Sequence, residues 1–412
     1  MTETGLSRTL DASPQTIHEL HHVPPLAKAV LRIALKIYWG DLTVVLPDGQ
    51  SIHYAGVEPG KSGILVVKDY KFARMLLTSG GAGMGEAYMD GLWDSPDLAS
   101  MLEVVATNAE HIREYFMGRG WGRFVGRLAH LLNRNSKSGS KRNIEAHYDL
   151  GNAFYKQWLD PTMTYSSAKF ADDDQNLSDA QWNKYRSLAE QIDLRPEHHV
   201  LEIGCGWGGF AEFAASEIGC RVTGVTISKE QLEFAQKRMA DKGLSDKVDI
   251  LYKDYRDIEG QFDRVVSIEM FEAVGEEYWP SFFAKVHDVL KSGGQAGLQI
   301  ITIADDLFED YRKSADFIQR YIFPGGMLPS PSALASQVKN VGLEWKDNIN
   351  FGKDYAHTLH IWRDRFQEAW PTIQPLGFDE RFRRMWHMYL GYCEAGFSAG
   401  TVDVTQLTLR RI

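Results

Sequence analysis

HHVLEIGCGWGGFAEFAASE, residues His198 to Glu217, decides the fold. Val200, Leu201 and Ile203 make a short apolar run of strand character, Gly204, Gly206, Gly208 and Gly209 break it, and apolar residues at helical spacing resume at Phe210. The order is strand, tight turn, helix. Glycine at Gly204 and Gly206 permits a sharp turn and lets a ligand lie against bare backbone, while the start of the helix offers unpaired N–H groups and the positive end of its dipole. A glycine-rich turn alone also serves close packing, so its neighbours decide the reading.

Those neighbours repeat the pattern. A second strand-like run, Arg221 to Ser228, follows at the spacing of a βαβ unit and leads into a helix from Lys229 to about Met239. Val248 to Tyr252 predicts a third strand running out at Asp254, and Phe262 to Ile268 a fourth running out at Glu269-Met-Phe-Glu272. A helix over Trp279 to Leu290 and a strand over Ala296 to Ile303 continue the alternation. This predicts an α/β, doubly wound, Rossmann-like parallel sheet with its site at the carboxyl ends of the strands. No lysine precedes a Ser or Thr in the glycine turn, which excludes a P-loop. The E-x-G-x-G form favours S-adenosylmethionine over a dinucleotide.

The chain of 412 residues has room for two domains, and a hydrophobic content of 44% supports a sizeable core. A net charge of −10 argues against nucleic acid as a partner. Cys205, Cys220 and Cys393 stand at neither metal-ligand nor redox-motif spacing, so no metal is expected and a reducing cytoplasm is the simplest setting. The N-terminal region carries no apolar run of signal or transmembrane length. Any membrane contact is therefore expected to be peripheral.

Residues 1 to about 25 read as a loose polar arm, with His21 and His22 as a solvated pair lacking a third metal ligand. A helix over Ala27 to Trp39 and short strands at Leu42 to Leu46, Ser51 to Tyr54 and Ile64 to Val67 predict a small α+β unit. Lys71 to Thr78 is read as a helix, and Gly80 to Gly85 as a turn, since neither a preceding strand nor a phosphate-binding lysine accompanies those glycines. From Glu110 to Arg142, Arg113, Arg119, Arg123, Arg127, Arg134, Lys137, Lys141 and Arg142 interleave with Tyr115, Phe116, Trp121, Phe124 and Leu128. That composition suits a helix lying on an anionic bilayer surface, or an ordinary solvated helix leading into a linker. Asp305 to Asn340 carries Tyr311, Phe317, Tyr321, Ile322, Phe323, Pro324 and Met327, an apolar set suited to a core or to the wall of an acyl-chain tunnel.

Five stretches spread along the chain carry a resemblance: Gly85-Glu-Ala-Tyr-Met-Asp-Gly-Leu-Trp93, Ala146-His-Tyr-Asp-Leu-Gly-Asn152, Leu201 to Gly209, Met270-Phe-Glu-Ala-Val-Gly275 and Tyr321-Ile-Phe-Pro-Gly-Gly326. Together they resemble the cyclopropane fatty acid synthase family, which includes the mycolic acid cyclopropane synthases. The resemblance implies a class I methyltransferase fold and methyl transfer from S-adenosylmethionine to the cis double bond of an unsaturated phospholipid acyl chain. It implies an N-terminal lipid-presenting domain over 1–132 and a methyltransferase domain over 144–412, joined by a linker over 133–143 that is read from its run of Ser136, Ser138, Gly139 and Ser140. A homodimer, and a cytoplasmic enzyme working at the inner face of the membrane, go with it.

The resemblance places Tyr165, Ser166, Gly204, Cys205, Gly206, Thr226, Ile227, Gln231, Asp254, Tyr255 and Arg256 around S-adenosylmethionine. It also implies a bound bicarbonate as the base, held by Glu272, Gln299 and Tyr355 side chains and by backbone from Ser167 and Ile301. Two of these positions depart from the family pattern, which has cysteine at Ser167 and histidine at Gln299. An amide still hydrogen-bonds an anion, but it neither carries positive charge nor relays a proton as histidine does. Members that make methylated or methylene acyl chains also occur. A small-molecule methyltransferase on the same fold and a binding protein without turnover are the rival readings, since fold alone does not set the substrate.

Overall fold

Seven strands, β6 to β12 in a numbering that begins in the N-terminal region, form the larger sheet. They are β6 (His199–Ile203), β7 (Arg221–Thr226), β8 (Val248–Tyr252), β9 (Phe262–Ile268), β10 (Leu290–Ile303), β11 (Leu343–Asn350) and β12 (Val402–Arg411). Their order is β11-β12-β10-β9-β6-β7-β8. From β10 to β8 every pair is parallel, whereas β12 runs antiparallel between β10 and β11. This computed structural model describes residues 9–116, 150–313 and 315–412. The basic-aromatic run lies outside them from residue 117 onward, as do its side chains from Arg113.

Two compact units make up the chain. The larger holds Leu131–Glu309, Phe323–Leu376 and Val402–Ile412, and with them the whole seven-stranded sheet. Val200, Val222, Ile250 and Val266 pack with Leu188, Phe210, Phe213, Ala235 and Met239 from the helices Leu177–Gln191, Gly209–Phe213 and Lys229–Asp241. Because side chains alternate along a strand, Val265 faces the other way. A second helical layer, Trp279–Val289, brings Trp279, Phe282 and Phe283 onto Phe271. The result is the doubly wound α/β sheet predicted from the glycine stretch and its neighbours.

The smaller unit joins Met1–His130 to Asp310–Ile322 and Gly377–Thr401. A single boundary near residue 132 therefore does not describe it, because two later segments pack into it. Its sheet has the order β1-β3-β2-β4-β5, with β1 (Thr9–Asp11), β2 (Trp39–Val45), β3 (Ser51–Ala55), β4 (Glu58–Val67) and β5 (Trp93–Asp94). The expected loose arm is ordered where it is described. β1 pairs parallel with β3, Ser13 caps the helix Pro14–Glu19, and Ile17, Leu20 and Val23 are buried. His22 pairs with Asp48, and no cluster of metal-ligating side chains occurs among the described residues.

The expected turn at Gly80 to Gly85 is instead helical. One helix spans Lys71–Met89 with a kink at Gly80, where φ is 59°. Two of these glycines serve packing: a Cβ on Gly83 would stand 2.1 Å from the Met75 carbonyl and one on Gly85 2.3 Å from the Phe317 ring. In the same place Glu86 accepts hydrogen bonds from Tyr321 and Arg320. The aromatic insertion is thus divided, Phe317 and Tyr321 belonging to the smaller unit.

In the larger unit, Gly297 on β10 lets the helix Leu177–Gln191 approach the sheet. A Cβ there would stand 2.9 Å from both Leu188 and Ile192. Gly297→Val is expected to lower unfolding stability by about 1–3 kcal/mol through overpacking, measured by urea denaturation, and to reduce activity because that helix carries site residues.

Candidate active site

β9 ends at Ile268, and the chain then turns through Glu269 in the left-handed region, with φ 48°. That conformation costs a residue with a Cβ about 1–2 kcal/mol, so the surroundings must hold it. They do so through the carboxylate. Oε1 accepts the Ser167 backbone N–H at 2.8 Å and Gln299 Nε2 at 2.7 Å, and Oε2 accepts the Tyr355 hydroxyl at 2.6 Å. The Glu269 N–H donates to the Gln299 carbonyl at 2.8 Å. Ser167, Gln299 and Tyr355 are the groups that the resemblance assigned to bicarbonate. Here they converge on a carboxylate of the protein itself.

Each donor has a structural reason for its place. Gln299 lies on β10 opposite Ile268 of β9 and opposite Gln406 of β12. Tyr355 stands in the first turn of the helix Gly352–Glu368, and that helix also binds the strip carrying Ser167. Thr358 accepts from the Ala168 N–H at 3.1 Å, and Asp354 from the Phe170 N–H at 3.1 Å. Ser167 contributes through its backbone N–H.

Glu272, three residues beyond Glu269, behaves differently. Its Oε1 accepts the Ile301 N–H at 2.5 Å, while Oε2 is buried without a hydrogen-bond partner among the described residues. Burial, reinforced by the neighbouring Glu269 charge, pushes its pKa to about 8. Burial also raises Glu269, but Lys184 and the donors from Tyr355, Gln299 and Ser167 oppose that rise. The two carboxylates are therefore driven apart, with Glu269 favoured as the anion and Glu272 as the acid.

Lys184 is fully buried on the helix Leu177–Gln191 and donates to Ser166 Oγ at 2.6 Å. Burial lowers its pKa to about 7 against the opposing pull of Glu269, Asp160 and Glu202. Gln181, one turn earlier, donates to the Ser166 carbonyl at 2.9 Å. Lys184 thus links the Glu269 centre to the glycine turn expected to hold the cofactor.

That turn fits S-adenosylmethionine. Gly204, Gly206 and Gly208 all have positive φ. A Cβ on Gly204 would strike Met270 at 2.6 Å, whereas nothing lies within 4 Å of where one would stand on Gly206. Gly204 thus serves packing and Gly206 leaves room for a ligand. Glu202 is buried with Oε2 lacking a partner among the described residues, and burial raises its pKa to about 8, a state a cationic amino group would reverse. Cys205 is buried with its thiol pushed well above the usual range, so it acts through backbone shape. Thr226 Oγ1 meets Gln231 Oε1 at 2.9 Å, with Ile227 between them in sequence, at the carboxyl end of β7. Past the end of β8, Asp254 is bound by Arg256 at 2.6 Å, and Tyr255 follows it in the same turn.

Aromatic rings line this region. Tyr165 lies 5.4 Å from Trp362 and 5.5 Å from Trp158 between ring centroids, Tyr355 lies 6.2 Å from Trp362, and Tyr155 lies 5.1 Å from Trp207. Their faces offer a dry surface that tolerates positive charge.

The sequence model of the family described as mycolic acid cyclopropane synthetase matches residues 135–407. The chain is 38% identical to the cyclopropane-fatty-acyl-phospholipid synthase of Escherichia coli over 89% of its own length and 95% of that protein. It is 36% identical to the tuberculostearic acid methyltransferase UfaA1 of Mycobacterium tuberculosis, covering 94% of this chain and 93% of that one. Among solved structures, the cyclopropane synthase MmaA2 from Mycobacterium tuberculosis aligns with a TM-score of 0.62 at 30% identity, over 66% of this chain and 98% of that chain. Coclaurine N-methyltransferase aligns at 0.60 with 18% identity over 82% of this chain and 99% of that one, a likeness of fold alone.

A carboxyl raised above its unfolded range favours folding below that range and loses the benefit as pH rises toward its folded value. For Glu272 the window runs from the ordinary carboxylate range up to about 8. Glu272→Gln, neutral throughout, is expected to gain in melting temperature relative to the parent as pH rises from about 5 to 8. Thermal melts across that range measure the difference, and a constant offset would contradict it.

Proposed function

The chain belongs to the mycolic acid cyclopropane synthetase family and is an S-adenosylmethionine-dependent methyltransferase, and we propose that it methylates the cis double bond of unsaturated phospholipid acyl chains, with Glu269 as the base. The observation that carries this reading is the Glu269 carboxylate, held by Ser167, Gln299 and Tyr355. S-adenosylmethionine supplies an electrophilic methyl group when bound.

An alkene is a weak nucleophile, so the protein's task is to hold it in line in a dry site. The double bond's electron pair forms the new carbon–carbon bond as the carbon–sulfur bond breaks, which leaves positive charge on the acyl chain. Tyr165, Tyr355 and Trp362 present rings that steady this charge without trapping it. Glu269 then removes a proton, and the freed electron pair closes the ring. Two N–H donors occupy Oε1, so the proton goes to Oε2, beside the Tyr355 hydroxyl. Glu269 thus takes the role that the resemblance gave to bicarbonate. A second anion among the same donors would meet this carboxylate as a like charge.

Ring closure is the product proposed. A methyl-branched alkene forms instead if the proton leaves a neighbouring chain carbon, and a methylene chain if a hydride first shifts onto the cationic carbon and the transferred methyl then gives up its proton. The likeness to the tuberculostearic acid methyltransferase over 94% of this chain supports these open-chain products as the second reading. The encounter with lipid is proposed as peripheral, at an anionic face served by the basic segment, with a homodimer as the working form. Among the described residues no helix is long and apolar enough to cross a membrane.

Glu269→Gln is expected to lower turnover by about 10²–10⁴-fold with S-adenosylmethionine affinity near that of the parent, read by release of S-adenosylhomocysteine and by calorimetry. Glu269→Gly suits the left-handed backbone and empties the anion position, so added bicarbonate is expected to restore part of its turnover while leaving the parent unchanged. A parent that needs bicarbonate would overturn the assignment. Expression in a host making unsaturated phospholipids but no cyclopropanes, followed by mass spectrometry, is expected to show a gain of CH2 on monounsaturated chains. Nuclear magnetic resonance of that product separates the ring from its methylene isomer.

A further inference from the structure

We propose that Gln406 on β12 is a positioning residue for this reaction, fixing the direction of the Gln299 amide and through it the hydrogen bonding of Glu269. The proposal rests on the reading of Glu269 as the base. Gln406 touches none of the reacting atoms, and it acts through a chain of amides.

The chain runs from Gln191 to Gln406 to Gln299 to Glu269. Gln191 Nε2 donates to Gln406 Oε1 at 2.8 Å, Gln406 Nε2 donates to Gln299 Oε1 at 3.0 Å, and Gln299 Nε2 donates to Glu269 Oε1 at 2.7 Å. The second hydrogen of Gln406 Nε2 goes to the Lys184 carbonyl at 3.0 Å. Gln299 and Gln406 are 1% and 0% exposed, so water does not substitute for these partners. They stand directly opposite each other in the β10–β12 register, which fixes their separation.

The direction of the chain follows from donor and acceptor types. An ionised carboxylate only accepts, so Gln299 must present its NH2 to Glu269 and its oxygen to Gln406. Gln406 must then present its own NH2, which leaves its oxygen for Gln191. Gln299 Nε2 also points to the Ser167 carbonyl at 3.5 Å, which the reverse orientation, with an oxygen there, would forfeit. Were Gln299 to turn over, its oxygen would face the carboxylate, and the ionised form of Glu269 would lose a donor and gain a repulsive dipole.

The charged and titratable groups facing Glu269 are Lys184 from the helix Leu177–Gln191, Tyr355 from the helix Gly352–Glu368, and Glu272 from the turn after β9. All three remain when Gln406 is changed. What changes is the hold on the Gln299 amide. Loss of its N–H makes the anion less favourable, so Glu269 takes up a proton at higher pH and the acid limb of the activity profile moves upward.

The experiment compares kcat/KM against pH for the parent, Glu269→Gln, Gln406→Met and Gln191→Met, on mixed vesicles of dioleoyl phosphatidylglycerol and dioleoyl phosphatidylethanolamine. Folding is checked by thermal melts, and S-adenosylmethionine binding by calorimetry. Gln406→Met is expected to move the acid limb up by about one pH unit and lower kcat roughly tenfold, with cofactor affinity unchanged. A folded Gln406→Met with the parent's acid limb would overturn the proposal. If Gln406→Met does not fold, Gln191→Met at the half-buried end of the chain decides. There a smaller upward shift supports the proposal and an unmoved limb overturns it. If Glu269→Gln keeps its turnover, the reading of Glu269 falls and this proposal with it. If Glu269→Gln is inactive and the acid limb of Gln406→Met is unmoved, only the role of Gln406 falls.

Discussion

A carboxylate buried among aromatic rings is costly unless its lone pairs are met, and the catalytic unit is arranged around meeting those of Glu269. The strand order places β10 between β9 and β12, so Gln299 reaches the carboxylate from one side. The strip at Ser167 and the helix Gly352–Glu368 reach it from others, and Lys184 lowers the cost of its charge. Remove the anion and these donors lose their common target. The left-handed backbone at Glu269, unfavourable in isolation, is held by the same set of bonds.

The sheet was legible because its signals are local and periodic. β8 and β9 have the bounds read from their apolar runs, and the glycine turn between β6 and its helix stands where Gly204 to Gly209 place it. The small unit was less legible, since helical glycines at 80 to 85 carry the same letters as a turn. Only the approach of Phe317, distant in sequence, distinguishes the two. Likewise the arm is ordered by pairing with β3, a partner no local pattern reveals.

For the site, the residues drawn from the resemblance that the structure brings together on one carboxylate are Ser167, Gln299 and Tyr355, with Glu272 and Ile301 beside them. Glu269 itself was read as the end of a strand and went unassigned, because the resemblance offered bicarbonate for its place. One signal was available: a second acid three residues before Glu272, at a strand's carboxyl edge. Gln181, Lys184 and Gln191 carried another, as polar residues at helical spacing on a stripe otherwise filled by Leu177, Ala180 and Leu188. Polar residues on a buried stripe need partners, and partners at that depth are commonly a site. Gln406 had no such signal, because its meaning arises only from its cross-strand place opposite Gln299.

That place has a consequence for how the protein is made. β12 follows both β10 and β11 in the chain and is synthesised after them, yet it lies between the two. Until it inserts, β10 keeps an open edge and the Gln299 oxygen lacks the Gln406 donor that reinforces its direction. A nascent chain can therefore wind the cofactor half of its sheet during translation, while its acid–base chemistry waits on a late, long-range strand insertion. A chain stopped before β12 would carry its glycine turn without the full set of partners that the Glu269 carboxylate needs.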